Sequence, residues 1–69
     1  MYTVIELQTN GGTTTALTPV TKTTRDDAEQ EYHLKLSYAA VSQVEIHSVV
    51  LLNAEGKTLK SECYKHQAA

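Results

Sequence analysis

The chain has 69 residues, a net charge of −2, one cysteine, four tyrosines and neither Phe nor Trp. A single cysteine excludes an internal disulfide framework. Its six basic residues (Lys22, Arg25, Lys35, Lys57, Lys60 and Lys65) are scattered among eight acidic ones, which argues against the concentrated positive face that nucleic-acid phosphates require.

Tyr2 to Thr9 alternates Val4, Glu6 and Gln8 against Thr3, Ile5 and Leu7, the period of a strand. Asn10-Gly11-Gly12 is a hairpin turn, because Asn and Gly accept positive φ at little cost. A β-branched run from Thr13 to Thr21 returns as the second strand. A three-residue loop pairs Ile5 with Leu17 and Leu7 with Thr15, bringing the larger side chains together. The alternative Asn-Gly loop pairs Ile5 with Ala16. Pro19 lacks an N–H, so this strand is an edge or its pairing stops there.

Thr23 or Thr24 caps a helix that runs to about Ala40. Thr24-Arg25-Asp26-Asp27 has the form of a capping box with Asp in the usual place of Glu, and the early acids suit the helix dipole. Ala28, Tyr32, Leu36 and Ala39 make the stripe assigned to the sheet. Leu34, Tyr38 and Val41 make a second stripe, well round the helix.

A second hairpin spans Ser42 to His66 and turns at Glu55-Gly56. This register pairs Leu52 with Leu59, Val50 with Ser61 and Ser48 with Cys63 on the face assigned to the helix, together with Val44 and Ile46. Leu51–Lys60, Val49–Glu62, His47–Tyr64 and Glu45–His66 then lie on the outer face. Gln67 to Ala69 reads as a frayed tail. The predicted fold is α+β: ββαββ, a four-stranded antiparallel sheet with one helix packed on one face, forming a single small domain over residues 1–69.

Both faces of the second hairpin are partly apolar, whereas a strand covering one core alternates cleanly. A domain of this length buries only roughly 60% of its unfolded surface, so oligomerisation is the expected remedy. The candidate interface therefore comprises Tyr2, Val4, His47, Val49, Leu51 and Tyr64 on the outer sheet face, with Leu34 and Tyr38 on the second helix stripe. The expected partners are a second copy of the chain, as homodimer or higher, and a host or viral protein.

Three histidines and Cys63 invite a metal or thiol reading. Cys63 and His66 fall on opposite faces, and a zinc site needs three or four convergent ligands. The cluster reads instead as cross-strand polar pairing, with Glu45 bonded to His66. Cys63 has no activating base on its face and reads as a small buried hydrophobe. Asn10-Gly11-Gly12 lacks the helix N-terminus and Lys of a phosphate loop. The acidic helix start, from Asp26 to Glu31, is diluted by Arg25 and Lys35 and reads as capping rather than phosphate mimicry. No catalytic, cofactor-binding or metal-ligating residue is assigned, and the chain is read as non-enzymatic.

The first ten residues lack the apolar run of a signal peptide. The longest apolar run, Val49 to Leu52, is far too short to span a bilayer. A lone thiol fits a reducing compartment. These features predict a cytoplasmic protein without membrane contact, and the start at Met1 reads as a complete small gene product.

Tyr32-His33, Ala39-Ala40-Val41-Ser42, His47, the Leu-rich strand end, Gly56 and Glu62-Cys63-Tyr64-Lys65-His66 together resemble small uncharacterised proteins of gut Firmicutes, their prophages and other mobile elements. The resemblance covers nearly the whole chain and implies context rather than chemistry: a stand-alone phage or mobile-element accessory protein in the host cytoplasm. The corresponding function is binding of a host protein, with inhibition of a defence system as one version. A virion or capsid accessory role and a small-ligand-binding oligomer, with a pocket lined by Tyr64, His47 and Tyr2, are the alternatives.

Overall fold

A computed structural model describes residues 1–66; the tail expected at 67–69 lies outside the described residues. The elements run β1 (Tyr2–Asn10), β2 (Thr13–Ala16), β3 (Val20–Lys22), α1 (Arg25–Val41), β4 (Ile46–Leu52) and β5 (Thr58–Lys65). All strand pairs are antiparallel, in the order β2-β1-β4-β5, with β3 also on β1. The fold is therefore α+β with one helix, and the predicted second strand is divided into β2 and β3. Pro19 accounts for the division: Leu17 still donates its N–H to the Glu6 carbonyl at 2.8 Å, Thr18 and Pro19 then leave the ladder, and pairing resumes with Val4 opposite Val20.

Each turn differs from its predicted form by one residue. The first is a two-residue Gly11-Gly12 turn, with Asn10 opposite Thr13 and Leu7 opposite Ala16, not Thr15. Both glycines have positive φ, 59° and 81°. That suits the type I′ geometry whose twist matches the flanking strands. Asn10 is freed from the turn, and its Oδ1 accepts the Glu45 N–H at 3.1 Å.

The second turn takes three residues, Ala54 to Gly56. Asn53 donates its N–H to the Lys57 carbonyl at 2.9 Å, and Gly56 sits at φ 83°. The Asn53 Oδ1 accepts both the Glu55 and Lys57 N–H groups. Leu52 consequently faces Thr58 rather than Leu59, and the ladder shifts by one residue before Leu51 meets Lys60. From there the expected pairs hold: Val50–Ser61, Val49–Glu62, Ser48–Cys63 and His47–Tyr64.

The helix begins where the cap predicts. Thr24 Oγ1 accepts the Asp27 N–H at 3.2 Å, and the helix continues one residue past Ala40. Ala28, Tyr32 and Ala39 are buried and Leu36 is half-buried against the core, as the first stripe requires. Burial raises the pKa of the Tyr32 hydroxyl, and the negative charge of Glu62 adds to the effect.

The face assignment of the sheet is reversed. Val4, Val49 and Leu51 are fully buried and join the helix stripe in one core, with Tyr2, Tyr64, Leu36 and Leu59 packed at its margin. His47 is also on this side, 3% exposed. By the two-residue period, Ile5, Leu7, Ile46, Val50 and Leu52 point away from the helix, onto a face no described element covers.

Candidate functional site

Under the C-terminal half of the helix, the sheet presents polar side chains. Glu6 of β1 and His47 of β4 both point at α1. His47 Nδ1 lies 2.8 Å from Ser42 Oγ at the helix C-cap, and His47 Nε2 is hydrogen-bonded to Glu6 Oε2. The other Glu6 oxygen faces Lys35 Nζ at 3.7 Å, and Lys35 pairs with Glu31 at 3.5 Å, one turn back along the helix. Lys22 of β3 extends the chain of charges to Glu31 at 4.0 Å. Among the described residues no buried side-chain N or O lacks a hydrogen bond.

Ser42, His47 and Glu6 have the connectivity of a nucleophile, a base and an orienting acid. The surroundings oppose that chemistry. Ser42 stands at the negative end of the helix dipole, where an alkoxide or oxyanion is disfavoured. Its hydroxyl oxygen also accepts the Val44 N–H at 3.4 Å, and the imidazole is sealed from solvent. What the arrangement does is tie the helix C-terminus to the two central strands while satisfying polar groups below it.

The helix is held along its other side by β5. Lys60 is hydrogen-bonded to Glu29, and that contact, opposed by partial desolvation, keeps the Glu29 carboxyl below its ordinary pKa. Arg25 reinforces it from one turn earlier at 3.4 Å. His66 Nε2 donates to the Ala39 carbonyl at 2.9 Å, a cation-capable side chain placed on the helix C-terminus. The expected Glu45–His66 side-chain bond is absent: Glu45 Oε2 accepts the Gly11 N–H at 3.2 Å, and only its backbone carbonyl meets His66. Cys63 is exposed on the uncovered face rather than buried, beside a depression lined by Ser48, Ser61 and Glu62. Among the described residues no three metal-ligating side chains converge.

Of the expected interface residues, Tyr2, Val4, His47, Val49, Leu51 and Tyr64 lie beneath the helix and are not on an outer face. Leu34 and Tyr38 do face outward, 46% and 60% exposed, with Val41 beyond them at 81%. On the central strands the uncovered face carries five large aliphatic side chains, Ile5, Leu7, Ile46, Val50 and Leu52, against three, Val4, Val49 and Leu51, on the helix side. All five are half-buried. Glu6 is the functional-looking residue that sequence reasoning missed. Its signal was its place on the Val4 face, two positions along β1 from a core residue.

No family model, curated protein or solved structure matches this chain.

Proposed function

We propose that the protein is a small non-enzymatic interaction protein that binds a partner protein through the uncovered sheet face. The observation that carries this reading is the row of Ile5, Leu7, Ile46, Val50 and Leu52 with no covering layer among the described residues. Contiguous apolar surface on a small monomer marks a contact site, and a flat β-face suits a protein surface better than a small ligand, which prefers an enclosed pocket. No helix among the described residues is long and apolar enough to cross a membrane. The resemblance to prophage and mobile-element proteins supports a cytoplasmic accessory role in which the bound protein belongs to the host, inhibition of a defence component being the sharpest version.

The test is affinity capture from host lysate with wild type and Val50→Lys side by side. A partner retained by wild type and lost by the variant, with the far-ultraviolet circular dichroism of the two unchanged, supports the reading. Equal retention by both removes the uncovered face as the binding surface.

A further inference from the structure

The two edges of the sheet are unlike. One is formed by the short strands β2 and β3, broken after Leu17 and closed to pairing at Pro19. The other is β5, eight residues long, whose outer side meets no described strand.

The ladder fixes which backbone groups β5 offers. His66 donates its N–H to the Glu45 carbonyl at 2.7 Å. By the alternation of antiparallel pairing, Tyr64, Glu62 and Lys60 turn their backbone groups inward to β4, while Ser61, Cys63 and Lys65 turn theirs outward. The Cys63 N–H accordingly bonds only to the side chain of its neighbour, Glu62 Oε1, at 3.2 Å.

We propose that β5 pairs antiparallel with β5 of a second copy about a two-fold axis at Ser61, joining two sheets into one. A second β5 can dock only where outward residues oppose outward residues, which places the two-fold axis at a residue, the central choices being Lys60, Ser61, Glu62 and Cys63; an axis at Lys60 sets that ammonium against its own copy. An axis at Glu62 sets that carboxylate against its own copy, which is repulsive. An axis at Cys63 sets Lys60 beside His66 and Glu62 beside Tyr64, with no opposite charges matched. An axis at Ser61 places Lys60 opposite Glu62 twice, once on each side, and Lys60 then bridges Glu29 of its own chain and Glu62 of the second copy. Glu62 exchanges its bond to the Cys63 N–H for this pair, and the freed N–H joins the new ladder. In that dimer both helices lie on the same side, and the two uncovered faces become one continuous apolar surface. The edge is a different surface from that face, so the inference stands apart from the proposed function.

Sedimentation velocity at two concentrations, with single-cysteine crosslinking, tests it. Ser61→Cys combined with Cys63→Ser puts thiols opposite one another at about 5.5 Å between Cα atoms, within disulfide reach. In the same register the native Cys63 pair is offset by about 14 Å along the strands and stays unlinked. The expected result is a wild-type dimer, rapid covalent dimerisation at position 61 and little at Cys63. Adding Glu62→Lys, at an exposed position, should abolish both the crosslink and the dimer while the circular dichroism spectrum persists. A monomer at both concentrations, faster crosslinking through Cys63, or a dimer indifferent to Glu62→Lys would each overturn the proposal.

Discussion

Tyr32 and Tyr38 sit on one helix, yet one is 4% exposed against the sheet and the other 60% exposed to solvent. Tyr32→Asp places an unpaired charge in a small core and should unfold the chain, since such burial costs several kcal/mol and a domain of this size has about 5 kcal/mol to lose. Tyr38→Asp should leave the helical circular dichroism intact, and equal loss in both would contradict the two-stripe reading. His47 holds Ser42 and Glu6 together, so His47→Ala removes two hydrogen bonds and leaves the Glu6 carboxylate with Lys35 alone. The expected loss is about 1–3 kcal/mol in urea unfolding, and no measurable loss would reduce the network to incidental contacts. Which residues the helix buries was legible in the sequence, because Ala28, Tyr32, Leu36 and Ala39 repeat at helical spacing. The burial of His47 was not legible, because its partners Glu6 and Ser42 come from 41 and five residues away.

At the scale of elements, the helix is fastened to β5 through Lys60 and Glu29, and this contact titrates. The Glu29 pKa is depressed in the folded state, so its contribution is fully present above the unfolded carboxyl value of 4.5 and is lost as pH falls through the lower folded value. Lys60→Met should therefore lower the melting temperature near neutral pH, with the gap to wild type closing as pH drops below 4.5. A gap that stays constant down to acid pH would assign the effect of Lys60 to packing of its stem instead. The turns make a second check. Gly12 has φ 81° with open space where a Cβ would sit, so Gly12→Val should cost about 1–2 kcal/mol by backbone strain alone, while Gly12→Asn costs less. Pairing along β4 and β5 was readable because alternation and a short turn leave few registers. Each turn departs from its local pattern by one residue because Asn10 and Asn53 bond outside or across their turns, which local propensity does not reveal.

For the whole molecule, the face that the helix covers is the less aliphatic one on the central strands. Hydrophobic count alone assigns Val50 and Leu52 to the core and Leu51 to the exterior. The structure does the opposite, because Glu6 and His47 find Lys35 and Ser42 under the helix and need not face water. Sequence period distinguishes two faces but not which one the helix chooses. The choice rests on long-range polar pairing that only the folded chain brings together. That choice leaves an aliphatic face open, and the functional account depends on it. Neighbouring residues of β4 decide the matter: Leu51 is buried and Val50 half-buried on the opposite side. The decisive measurement is thermal unfolding of Leu51→Lys and Val50→Lys, followed by circular dichroism under identical conditions. The account predicts that Leu51→Lys abolishes the cooperative transition while Val50→Lys keeps a folded protein with a melting temperature near that of wild type. A folded Leu51→Lys beside an unfolded Val50→Lys would contradict it, placing the helix over the other face.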